Sequence, residues 1–144
     1  MKYKKQAEII LEKCLKLKSN ETILIITDEK RREIGQSIFL NAKKIAKEAK
    51  IVEIPIPRVS GIEPPEDVAK EMLKYNVVIA PTTQSITHTY ASKNAASKGV
   101  RVATMPGITE KIMKDSMLAD YDKVEKLTLE VLKKVKNSKN KRSR

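Results

Sequence analysis

The segment "PTTQSITHT" over residues 81–89 holds the chain's only histidine, His88, three residues after Ser85 and among threonines. An imidazole beside a hydroxyl is the raw material of nucleophilic catalysis, in which the base takes the proton of Ser or Thr. Such a pair needs a third group to orient the ring, and no carboxylate is near in sequence. Asp28 is the one acid placed to approach from a neighbouring strand end. The same residues also read as a helix start. Ser85 is then the N-cap and His88 occupies the third helical position, where a capping box carries Glu or Gln. On that reading Ser85 accepts from the His88 backbone N–H, and the ring turns toward a crevice or back over the turn. Asp28 has a matching structural role as the cap of another helix. No residue is assigned a catalytic role.

Metal and nucleotide chemistry are weaker still. A catalytic zinc takes three protein ligands, commonly His or Cys in close spacing, and this chain has one His and one distant Cys14. No metal ligand is assigned. Cys14 falls in an apolar stripe, as a small core side chain does. The four glycines, Gly35, Gly61, Gly99 and Gly107, form neither GxGxxG nor a P-loop. The turn from Thr82 to Ser85 offers backbone N–H groups to a small anion, which keeps an anion-binding reading open.

The elements that must position these residues alternate. Tyr3, Ala7, Ile10, Cys14 and Leu17 recur at helical spacing over residues 3–18. "TILIIT" is a strand apolar on both faces. Asp28 opens a long helix reaching Ala49, with Ile34, Ile38 and Ile45 inward. "IVEIPIP" is a second strand, marked as an edge by Pro55 and Pro57. "EPPED" begins a short helix running to about Tyr75, and "NVVIAP" is a third, continuously apolar strand. A helix over 85–98 ends at Gly99. "VRVAT" is a fourth strand, with one face wetted by Arg101. Thr109 and Glu110 open a short helix, and Asp120 caps a last one reaching about Lys136.

Strand–helix alternation gives a three-layer, Rossmann-like α/β domain with a four-stranded parallel sheet. Strands apolar on both faces belong in the middle, so the expected order is 2-1-3-4. The switch point then lies between strands one and three, where open α/β sheets bind ligands. Asp28, Thr82, Thr83, Ser85, His88 and Thr104 are the candidate ligand-binding residues there.

At 144 residues the chain fits one domain, assigned to residues 1–136, with a basic and frayed tail over 137–144. Aromatic residues make up 3%, so aliphatic side chains must fill the core. A lone cysteine suits a reducing cytosol, and no apolar run exceeds four residues, so a soluble cytoplasmic protein is expected. Abundant Lys and Glu with three Gln are thermophile-like. Net charge is +12, of which residues 126–144 carry +7. A stand-alone module binding nucleic acid weakly through that tail is the alternative the charge suggests.

The run "APTTQSITHTYASKNAASKGVRVATMPGIT" resembles the signature block of leucyl aminopeptidase-like proteins related to aminopeptidase T. The similarity rests on Pro81, Thr82, Ser85, Thr87, His88 and Thr89, then Gly99, Arg101 and the stretch from Ala103 to Thr109. Thr83, Gln84 and Ile86 depart from the pattern. "ILIITDE" and "IPIPRVSGIEPPEDVAKEM" are similar to the family's first strand and Glu-Pro-Pro segment. The resemblance implies the amino-terminal domain of a metal-dependent, usually dimeric aminopeptidase of archaeal and bacterial type. The family's divalent metal ions are held by a carboxyl-terminal half that this chain does not contain. No cofactor is therefore expected here, and no peptidase activity from this chain by itself. A homodimer or the missing catalytic domain is the implied partner.

Overall fold

The computed structural model describes residues 3–106, 108 and 111, and the backbone of 130–132. Helix α1 (Lys4–Glu8) runs on into a π-helical stretch, Ile9–Cys14. Strand β1 (Thr22–Thr27) leads through a 3-10 turn (Glu29–Arg31) into α2 (Arg32–Ile45). Strand β2 (Glu48–Glu53), helix α3 (Glu66–Met72) and strand β3 (Val77–Ala80) follow. Helix α4 (Tyr90–Ser97), strand β4 (Arg101–Thr104) and strand β5 (Glu130–Leu132) complete the described elements.

The first four strands are parallel and lie in the order β2-β1-β3-β4, as the strand hydrophobicity requires. Every residue of β3, and every residue of β1 after Thr22, is buried, because helices cover both faces. Ile23, Ile25, Val77, Ile79 and Ala103 pack on one face against the π-helical stretch after α1 and against α2, through Ile10, Leu11, Ile34 and Ile38. Leu24, Ile26, Val78 and Val102 pack on the other against Val68 and Met72 of α3 and Ala91 and Ala95 of α4. Three layers result, with an aliphatic core on each side of the sheet.

Several boundaries differ from the sequence expectation. The wider π-helical turn buries Leu11 and Leu15 beside Ile10, and leaves Cys14 half-buried. Helix α2 stops at Ile45 and not at Ala49, since Ala46 turns extended and residues 48–53 pair along β1. Edge pairing there outweighs the helix preference of "KEAK", and Pro55 and Pro57 lie beyond the strand's end. Strand β4 is not an edge. Residues 130–132, expected in the last helix, pair antiparallel with it. Arg101 does not wet a face either; it is half-buried against Glu21. The helix expected from Thr109 and the segment 137–144 lie outside the described residues. No helix among the described residues is long and apolar enough to cross a membrane.

The amino ends of the strands are tied by two polar contacts. Asn76 Oδ1 accepts from Thr22 N at 2.9 Å and from Thr22 Oγ1 at 3.2 Å, joining β1 to β3. Arg101 donates to Glu21 Oε2 at 2.7 Å, to Glu21 Oε1 at 3.0 Å and to the Leu15 carbonyl at 2.9 Å. That fork holds the end of the first helix under β4.

Candidate functional site

The carboxyl ends of β1 and β3 meet as expected, and Asp28 and Thr83 are brought together there. Asp28 follows β1 in an extended conformation and is 1% exposed. Its Oδ2 accepts from Thr83 N at 2.6 Å, and its Oδ1 from Thr83 Oγ1 at 3.0 Å and Arg31 N at 3.1 Å. The carboxylate thus caps the 3-10 turn before α2 and also clamps the loop after β3. Thr27 Oγ1 supports the same junction, lying 2.9 Å from the Arg31 carbonyl and 3.1 Å from the Pro81 carbonyl. Gly35 permits this approach of α2: a Cβ built there would stand 2.7 Å from Thr27 Cβ.

The remaining candidates are tied to their own loop. Buried Thr82 donates to the Gln84 carbonyl at 2.6 Å. Ser85 Oγ accepts from Thr87 N at 3.0 Å and donates to Thr87 Oγ1 at 2.8 Å. Thr87 Oγ1 in turn lies 2.7 Å from Thr104 Oγ1, linking the loop to the end of β4. Ser85 therefore does not cap a helix and does not bond to the His88 backbone, which corrects the capping-box reading. Helix α4 begins at Tyr90, and its cap is Thr89, whose side chain accepts from Ser92 N at 3.2 Å. His88 lies exposed before that cap and has no hydrogen bond among the described residues. The hydroxyl–imidazole pair needed for nucleophilic catalysis is not formed.

Glu63 was not among the sequence candidates. It reaches from the loop before α3 and accepts from Tyr90 N at 2.6 Å and Ala91 N at 3.1 Å. A carboxylate thereby satisfies two amides at the positive end of the helix. The start of α4 is filled by the chain's own acid, and the Thr82–Ser85 turn lies upstream of it. Ser60 and Arg58 complete the docking: Ser60 Oγ donates to Gln84 Oε1 at 2.9 Å, and the Arg58 carbonyl accepts from Gln84 Nε2 at 3.3 Å. The acid of "EPPED" was legible as a helix-start signal, but its target is a different helix.

Two grooves flank this end of the sheet on the β2 side. One, of about 370 Å³, is lined by Glu29, Arg32, Glu53, Ile54, Pro55 and Ile56. Arg32 and Glu53 form an ion pair across it, with a second contact from Nη2 to Oε1 at 2.9 Å. Each holds the other charged: hydrogen bonding to Arg32 lowers the Glu53 pKa, and bonding to Glu53 raises that of Arg32. The other, of about 280 Å³, is mainly prolines with Ile54 and Ile62. No group of three or more His, Cys, Asp or Glu side chains among the described residues is arranged to hold a metal ion.

Fold and site together define a Rossmann-like α/β domain in which Asp28, Thr82, Thr83, Ser85 and Thr104, at the carboxyl ends of the strands, hydrogen-bond to groups of the chain itself. No protein-family model matches the chain, and no curated protein matches it.

Proposed function

We propose that this chain is the amino-terminal α/β domain of a leucyl aminopeptidase-like metallopeptidase, a scaffold beside which a separate metal-bearing segment carries out peptide hydrolysis. The observation that carries this reading is the bonding of Asp28. A carboxylate that serves a ligand keeps acceptor capacity facing a cleft, whereas Asp28 is buried and takes three donors from its own chain. Residues in the run that resembles the family act the same way. Thr87 and Thr104 join the loop after β3 to the end of β4, Thr89 caps α4, and Arg101 anchors the first helix. A shared run that builds a scaffold needs no catalytic role to account for it.

The test is reconstitution. The purified chain is mixed with a separately produced carboxyl-terminal half of a leucyl aminopeptidase-type enzyme, with zinc, cobalt or manganese added. Co-elution, and metal-dependent leucine release from the mixture alone, is the expected result. Turnover by this chain alone that survives repurification, or failure of the halves to associate, overturns the reading.

A further inference from the structure

Because β1 to β4 are parallel, the segments entering them all emerge at one end of the sheet. Lys16 and Lys18 precede β1, Lys47 precedes β2, Lys74 precedes β3 and Lys98 precedes β4; all are exposed. Lys74 is paired with Glu71. The side chains of Lys16, Lys18, Lys47 and Lys98 have no ion pair among the described residues. Of the nearby acids, Glu21 is taken by Arg101 and Glu71 by Lys50 and Lys74, which leaves Glu48. Among the described residues the carboxyl-end segments and the first helical turns after them hold acids in excess by contrast, with Glu33, Glu66 and Asp67 beside Asp28, Glu29, Glu53 and Glu63, against Lys30, Arg31, Arg32 and Arg58. Helix carboxyl ends at the lysine face offset about half a charge each, so a positive surplus remains.

We infer that the amino-end face of the sheet, through Lys16, Lys18, Lys47 and Lys98, is a binding surface for the phosphate backbone of duplex nucleic acid. Four strands at about 4.8 Å spread these ammonium groups over about 15 Å, enough to reach both phosphate rows beside a groove about 12 Å wide. Lysine binds phosphate as a point charge without reading sequence. Among the described residues the face has no exposed aromatic on which unpaired bases stack, because Tyr75 is buried and Tyr90 lies at the opposite end. Among the described residues it also offers a bilayer only one apolar anchor. Leu73 is the one exposed large hydrophobic residue in these segments, while Val59, Ile62 and Tyr90 lie at the carboxyl end.

The test uses the full chain and a labelled duplex of about 20 base pairs, read by fluorescence anisotropy between about 0.05 and 0.2 M salt. One variant carries Lys16→Gln, Lys18→Gln, Lys47→Gln and Lys98→Gln. A control of equal charge carries Lys5→Gln, Lys30→Gln, Arg58→Gln and Lys93→Gln, all exposed and away from this face. Circular dichroism verifies that both fold. The first variant should lose at least about tenfold in affinity, with the log–log salt slope falling by about 3–4, while the control changes less than about threefold. Equal losses in both variants would assign binding to net charge or to residues 126–144, and overturn the inference. So would an unchanged first variant, or binding to anionic phosphatidylserine vesicles without binding to duplex.

Discussion

The carboxylate of Asp28 spans the gap between two strand ends to take both the backbone N–H and the hydroxyl of Thr83, at 2.6 and 3.0 Å. Asn at position 28 would turn an amide NH₂ toward one of these donors. Hydrogen bonds to a charged group contribute about 1.5–3 kcal/mol. Asp28→Asn should therefore lower stability by about 2–3 kcal/mol in urea unfolding, and Thr83→Val by about 1 kcal/mol. An Asp28→Asn protein within about 0.5 kcal/mol of the parent would show that the clamp does not hold the strand ends together.

The start of α4 separates two accounts of His88. Thr89→Ala removes the cap and should cost about 1 kcal/mol, and Ser85→Ala, which frees Thr87 N and Thr87 Oγ1, a similar amount. His88→Gln should stay within about 0.5 kcal/mol, because the ring is exposed. Thermal and urea unfolding of the three variants decides the matter. A His88→Gln loss exceeding that of Ser85→Ala means that the imidazole has a partner outside these contacts.

Glu63→Ala leaves the first amides of α4 without their carboxylate. Exchange of the Tyr90 and Ala91 amide hydrogens should accelerate while that of the β3 amides does not, and stability should fall by about 1 kcal/mol. Uniform acceleration would mean that Glu63 supports the whole domain.

Gly35→Ala sets helix propensity against packing. Ala gains about 1 kcal/mol as a helix former, but its Cβ would meet Thr27 at 2.7 Å, and β1 is too confined to yield. Overpacking of this kind costs about 1–3 kcal/mol. A net loss is expected, whereas Gln36→Ala on the exposed side of the same helix should be neutral. A stabilised Gly35→Ala protein would mean that α2 slides freely on the sheet.

Acid should weaken the Glu21–Arg101 fork. Hydrogen bonding from Arg101 is the largest of the effects that hold Glu21 below the usual carboxylate range. A depressed folded pKa contributes stability that is full above the unfolded value, about 4.3, and is lost as pH falls through the folded one. The melting temperature should therefore drop across that acid window, and Arg101→Gln should flatten this part of the drop. A parallel pH profile in the variant would remove the fork from the acid response.

The central strands were legible because "TILIIT" and "VVIA" are apolar on both faces, which forces them inside and fixes the order of the parallel strands. The start of α4 was not. Ser85, Thr87 and Thr89 are equivalent as local caps, and the end of the loop is set by Glu63, 27 residues before Tyr90. Residues 48–50 carry a helix-favouring pattern and join β2 because the outer side of β1 needs a partner. Residues 130–132 likewise carry a helical pattern that pairing with β4 overrides. At the site, the meeting of Asp28 with Thr83 followed from the strand order. The chain's own bonding of every crevice hydroxyl did not, since it depends on side-chain directions that spacing does not encode.

Polar ties bracket the pairing of β1 with β3: Thr22 with Asn76 at one end, and Asp28 with Thr83 and Thr27 with Pro81 at the other, join residues 54 or 55 positions apart. The ladder between them has only three Cα pairs, from Ile23–Val77 to Ile25–Ile79. So short a ladder of similar aliphatic side chains has little to stop a two-residue slip, which would leave the same residues on the same faces. The end ties supply what the ladder lacks. A slip in either direction would part them all at once, so they act as stops that single out one alignment among near-equivalent ones. Contacts of such sequence separation close late, after a large loss of chain entropy. Weakening any one tie should then speed unfolding more than it slows folding, and let misaligned β1–β3 pairings compete during refolding.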